Sequence, residues 1–70
     1  MMVLTKDRHA LVNINNMLEI TLNGEYIQAI PLNNTMAITL GRYDTDERAQ
    51  KVFIELASYP ADGLYRMPCS

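Results

Sequence analysis

The side chains able to do chemistry are few and far apart. His9 is the single histidine and sits in Lys6-Asp7-Arg8-His9, where an imidazole titrating near neutrality can serve as a general base or a metal ligand. No serine, cysteine or second histidine lies near it in sequence, so it reads as part of a solvated polar turn. Cys69 is the single cysteine, and a thiol becomes a nucleophile only where a helix N-terminus or a cation lowers its pKa. At the end of the sequence, on an expected frayed terminus, it has neither among its neighbours. One thiol and one histidine supply neither an intramolecular disulfide nor a structural zinc site, so no metal or other cofactor is expected. Asp44, Asp46 and Glu47 gather like cation-binding carboxylates, yet the glycine and ligand spacing of a calcium loop are missing. Tyr26, Tyr43, Tyr59 and Tyr65, with Arg42 and Arg66 close by, are the residue types that stack on single-stranded nucleic acid or anchor a protein interface. Asn33-Asn34-Thr35 fits the N-glycosylation pattern, but the first five residues are too short for a signal-peptide core, and the triplet reads as a turn.

The three carboxylates have a structural explanation in the element that holds them. Asp44 or Thr45 can accept a hydrogen bond from the unpaired N–H groups of a first helical turn, and Asp44-x-x-Glu47 has capping-box spacing. Asp46 and Glu47 then lie at the positive end of the helix dipole. Ala49, Val52, Phe53, Leu56 and Ala57 recur at i, i+3, i+4, i+7 and i+8, one apolar face. Pro60 and the following Ala61-Asp62-Gly63 end the run. A helix is expected over about residues 46 to 58.

The first forty residues alternate with period two, and the breaks between runs carry turn residues. Residues 2–5 read as a first strand, residues 6–9 as a turn, residues 10–13 as a second strand, and Asn15-Asn16 as a break. Residues 17–22 place Leu18, Ile20 and Leu22 on one face and Glu19 and Thr21 on the other, Asn23-Gly24 supplies a type I′ turn, and residues 25–30 return. Pro31 stops that strand. Residues 32–35 connect to a further strand over 36–40, in which Met36, Ile38 and Leu40 alternate with Ala37 and Thr39. Leu64-Tyr65-Arg66-Met67 forms one more short strand that adds to a sheet edge, in this chain or in a neighbour's. The expected class is α+β, an antiparallel β-meander of about three to five strands with one amphipathic helix on one face.

Seventy residues leave room for one domain and one modest core. A domain this small often needs a staple, and with disulfide and zinc set aside the remaining one is oligomerisation. The composition, 49% hydrophobic and 20% charged, is that of a globular protein. A net charge of -2 argues against electrostatically driven binding to nucleic acid or a membrane surface. No apolar run reaches the length of a membrane-spanning helix. A cytoplasmic location is expected, consistent with the unpaired thiol.

Leu11-Val12-Asn13-Ile14-Asn15-Asn16 ahead of a strand, the run from Leu40-Gly41-Arg42-Tyr43 through Asp44-Thr45-Asp46-Glu47-Arg48-Ala49 into a helix, and the late Tyr65-Arg66-Met67-Pro68 resemble small uncharacterised proteins of Gram-positive bacteria and their phages. The match spans most of the chain, and its motifs are structural ones. Arg42 stands where those relatives commonly carry an acidic residue after the glycine. The resemblance implies a bacterial or phage intracellular origin and brings no established activity or site residues.

One residue breaks the helical pattern: Ile54 lies ~130° from the centre of the apolar stripe and is expected in water in a monomer. An isoleucine on an outer helix face is what a self-association patch looks like. Ile54, Tyr43, Tyr65 and Met67 are the candidate interface residues. The expected function is a non-enzymatic interaction or accessory regulatory module, a homodimer that presents a sheet edge or the outer helix face to a protein partner. The alternative is nucleic-acid binding through the sheet face or the basic turn.

Overall fold

The computed structural model describes residues 1–33 and 36–70. The chain opens with β1 (Met2–Leu4), turns over residues 6–9 and returns as β2 (Leu11–Asn13). Polar side chains hold that turn: the Thr5 hydroxyl donates to Asp7 Oδ1 at 2.6 Å and accepts the Ala10 N–H at 3.2 Å, and Asp7 Oδ1 also accepts the His9 N–H at 2.9 Å. Arg8 takes a left-handed φ of 65° at the tip, where its N–H donates to the Thr5 carbonyl. The asparagine-rich break after β2 is a 3₁₀ turn (Ile14–Asn16), capped by Asn13 Oδ1, which accepts the Asn15 N–H at 3.0 Å.

The clearest alternation builds β3 (Met17–Asn23), β4 (Tyr26–Pro31) and β5 (Ile38–Arg42), an antiparallel meander. Three details of this meander differ from the sequence expectation. The hairpin loop is Gly24-Glu25, and only Gly24 has a positive φ (61°), which fits a type II′ turn where type I′ needs two such residues. Leu18 is exposed because a bulge between Met17 and Glu19 breaks the alternation. β5 begins at Ile38, leaves Met36 in water and runs on through Gly41. A Cβ at Gly41 would lie 3.1 Å from the Tyr43 ring and 3.2 Å from the Met67 methyl, so glycine lets these side chains converge on the strand. Asn34 and Thr35 of the expected connecting turn lie outside the described residues.

The helix, α1 (Asp46–Ala57), starts one residue later than the capping-box spacing implied. Thr45 is the cap, its hydroxyl accepting the Arg48 N–H at 3.1 Å, so Glu47 is not at the box position. Ala49, Val52 and Leu56 are fully buried along the expected stripe, and Phe53 is half-buried at its margin. Burying each of the large ones contributes about 1.5–3 kcal/mol. The last strand, β6 (Leu64–Arg66), pairs within its own chain, parallel to β1, with Val3 opposite Tyr65.

The fold is α+β, as expected, with its strands divided between two three-stranded sheets of order β2-β1-β6 and β3-β4-β5. They meet where the Lys6 N–H, just beyond β1, donates to the Leu40 carbonyl of β5 at 2.8 Å. Val3, Val12 and Tyr65 from the first sheet and Ile27, Ala29 and Leu40 from the second enclose the helix stripe, with Tyr43 and Met67 completing the core. The radius of gyration of 11.0 Å equals the ~11 Å of a compact 70-residue chain. The surface of 4578 Å² is close to the ~4,450 Å² of a folded monomer of this mass.

Candidate functional site

Between α1, β3 and the 3₁₀ turn lies a groove of about 370 Å³. It is lined by Ile20 of β3, by Ile14 and Asn15 of the 3₁₀ turn, by Met1, by Phe53, Leu56 and Ala57 of α1, and by Tyr59 and Ala61 just after the helix. The lining is mostly apolar, Asn15 and the Tyr59 hydroxyl being its polar side-chain groups. The groove exists because β3 lies at the edge of its sheet, so no further strand fills the space beside Ile20. Ile54 lies ~60° further round the helix from Ala57 and is 56% exposed. It extends the apolar surface from the groove onto the outer side of α1.

The β3 edge itself is open. Apart from the Met17 N–H, which donates to the Ile14 carbonyl of the 3₁₀ turn, no strand among the described residues pairs with β3 on the side facing away from β4. The opposite edge of the same sheet is closed, since Lys6 bonds the Leu40 carbonyl through its backbone and the Arg42 carbonyl through its Nζ at 2.6 Å. β2 and β6, the edges of the other sheet, are three residues each.

Of the expected interface residues, Ile54 faces water, while Tyr43, Tyr65 and Met67 lie in the chain's own core. The Tyr43 hydroxyl donates to the Pro68 carbonyl at 2.8 Å, and Lys6 Nζ sits 4.6 Å above its ring. Burial pushes this phenol above its ordinary pKa of 10.0. The Tyr65 hydroxyl donates to Glu55 Oε1 at 2.7 Å. Burial first, then that bond to a carboxylate, drive its pKa well above the usual phenol range. Met67 donates its N–H to the Leu4 carbonyl at 3.0 Å and closes over Gly41. These three side chains strap the C-terminal segment to the core and present almost no surface to a partner.

The chemistry-bearing residues are placed apart from the groove. His9 is exposed, its Nδ1 3.9 Å from Asp7 Oδ2. The Asp7 carboxyl is held below its usual pKa by the Thr5 hydroxyl and then the His9 N–H. Cys69 does have a cation beside it, Arg8 Nη2 at 3.0 Å from Sγ, a neighbour hidden by 61 residues of sequence separation. Asp46 and Glu47 occupy the first turn of α1. Among the described residues no group of three His, Cys, Asp or Glu side chains is placed to hold a metal ion. On the outer face of the second sheet the Arg42 guanidinium lies 5.7 Å from the centre of the Tyr26 ring and 3.3 Å from Glu25.

Among the described residues no helix is long and apolar enough to cross a membrane. The chain matches no protein-family model, no curated protein and no solved structure. The groove went unread in the sequence because Ile20, Phe53 and Leu56 have the spacing of ordinary core residues. The one signal that pointed towards it was Ile54, out of phase with the helix stripe.

Proposed function

We propose that this protein is a non-enzymatic interaction module that associates with itself through the apolar surface around β3 and the outer side of α1. The observation that carries this reading is the apolar groove between Ile20 of β3 and Phe53, Leu56 and Ala57 of α1, on a molecule that also exposes Ile54 on the same helix and Leu18 on the same strand. Contiguous apolar surface on a small protein marks interaction sites, and covering it is favourable by about 25 cal/mol per Å² removed from water. The resemblance to bacterial and phage proteins supports an intracellular setting for such a module. Sedimentation equilibrium at micromolar concentration is the test: the expected particle has twice the 8.0 kDa of the chain. A particle of one chain at every concentration up to about 100 μM, where a Kd at the weak end would register, contradicts the reading.

A second reading, a nucleic-acid platform, draws on Tyr26 and Arg42 on the outer sheet face. Arg42 is already paired with Glu25, and Lys6 is tied to the Arg42 carbonyl and the Tyr43 ring, so few cations are free to meet phosphates. Affinity for single-stranded DNA or RNA that falls with added salt would favour it over self-association.

A further inference from the structure

We infer that a second copy of this chain docks along the free edge of β3, antiparallel and centred on Ile20, so that the two meanders join into one six-stranded sheet. The inference rests on the self-association reading and adds the surface and the register.

An unpaired edge strand is a template for another strand, and proteins that avoid such pairing use short edges, proline, lysine or a covering segment. β3 has seven residues, contains neither proline nor lysine, and carries a single charge, Glu19. Its bulge lies at the Met17 end only. At ~3.4 Å per residue the strand is ~24 Å long, against a molecule whose longest dimension is 29 Å. A stable interface buries roughly 800 Å² per copy, about one-sixth of the 4578 Å² surface.

Backbone alternation fixes which residues can reach outwards. Asn23 and Tyr26 close a two-residue loop and so form a hydrogen-bonded pair, as does Thr21 with Gln28 two positions on. Leu22 and Ile20 therefore turn their N–H and carbonyl groups away from β4. A two-fold dimer pairs the strand with itself about one residue, and charge removes two of the four possible centres. Centring on Glu19 sets that carboxylate against its own copy, and centring on Leu22 sets it against the partner's Glu25. Centring on Thr21 leaves Leu18, 59% exposed, opposite the glycine of the partner's turn. Centring on Ile20 sets Ile20 against its copy and Glu19 against the partner's Thr21, and leaves Leu18 at the bulge that ends the regular pairing. In that arrangement no like charges meet, and the partner's strand lies at the mouth of the groove that Ile20 lines.

The register is tested by changing the charge at position 21, which lies opposite Gln28 on the outer face of the sheet, away from the core. Dimer dissociation constants are measured by sedimentation equilibrium for the wild type, Thr21→Lys, Thr21→Glu and Leu18→Lys, with circular dichroism at low concentration checking that each folds. Thr21→Lys places a cation opposite the partner's Glu19 twice per dimer and is expected to tighten association roughly three- to tenfold, while Thr21→Glu weakens it by a similar factor. Leu18→Lys, an edge charge on an already exposed side chain, weakens it by about tenfold or more. A dimer that ignores all three substitutions overturns the inference and leaves self-association standing on another surface. Weakening by both Thr21 variants overturns the Ile20 register, because like charges would then face each other at position 21. A wild type that stays monomeric overturns the self-association reading and the inference with it.

Discussion

The two sheets bury comparable side chains and are made in opposite ways. The β3-β4-β5 sheet is a meander of neighbouring strands, joined by a two-residue turn. The β2-β1-β6 sheet brings together strands of three residues each, one of them from the far end of the chain and parallel to its neighbour. The first is specified locally and leaves a long edge unpaired. The second depends on long-range anchors, Tyr65, Met67 and the Tyr43 hydroxyl on Pro68, and leaves only short edges. Chain order thus separates two tasks: the distant pairing closes the core, and the local meander retains an edge on which another strand can form.

The largest expected effect falls on the anchors. Met67→Ala removes a fully buried side chain and is expected to lower stability by about 2–5 kcal/mol in urea unfolding. If the comparison is right, amides of β1 and β6 lose protection from hydrogen exchange before those of β4. Equal loss in both sheets would mean that they do not differ in their dependence on the tail.

Next comes Tyr65→Phe, which removes the hydrogen bond that buried Tyr65 donates to the exposed Glu55 carboxylate and is expected to lower stability by about 1 kcal/mol. The same pair sets a pH dependence. Tyr43 and Tyr65 hold their protons more tightly folded than unfolded, so above the ordinary phenol pKa of 10.0 the unfolded chain binds fewer protons and stability falls as pH rises. Thermal melts between about pH 9 and 11 should show this decline, and it should be shallower in Tyr65→Phe. A flat profile would contradict the burial of these hydroxyls.

A smaller effect belongs to the meander. Gly24→Ala forces a side chain into a positive φ of 61° and is expected to destabilise by about 1 kcal/mol. A larger loss would show the hairpin to be less self-sufficient than its local pairing suggests. Arg42→Ala, which removes an exposed ion pair and a stacking contact on the outer face, should change stability by no more than about 0.5 kcal/mol.

What the sequence revealed follows the same division. Period-two alternation around Gly24 and the Ala49, Val52, Leu56 spacing announce their elements because each signal sits within a few residues of its cause. The cap at Thr45 was visible, though the neighbouring Asp44 offered a competing box. By contrast, Tyr65 and Met67 looked like edge residues available to a partner. Only the parallel pairing with β1 turns them inwards, and nothing near residue 65 encodes that partner. Leu18 misled because a bulge shifts the phase without any glycine or proline to mark it. The groove is a property of three segments at once, and Ile54 was its sole local trace.

The most direct test compares amide hydrogen exchange in dilute and concentrated protein, residue by residue. The expected result is that the Ile20 and Leu22 amides, which point away from β4, become protected as concentration rises while those of β2 and β6 do not change. Protection that is independent of concentration at Ile20 and Leu22, or that grows on β2 or β6 instead, would contradict the claim that this protein meets its copy along β3.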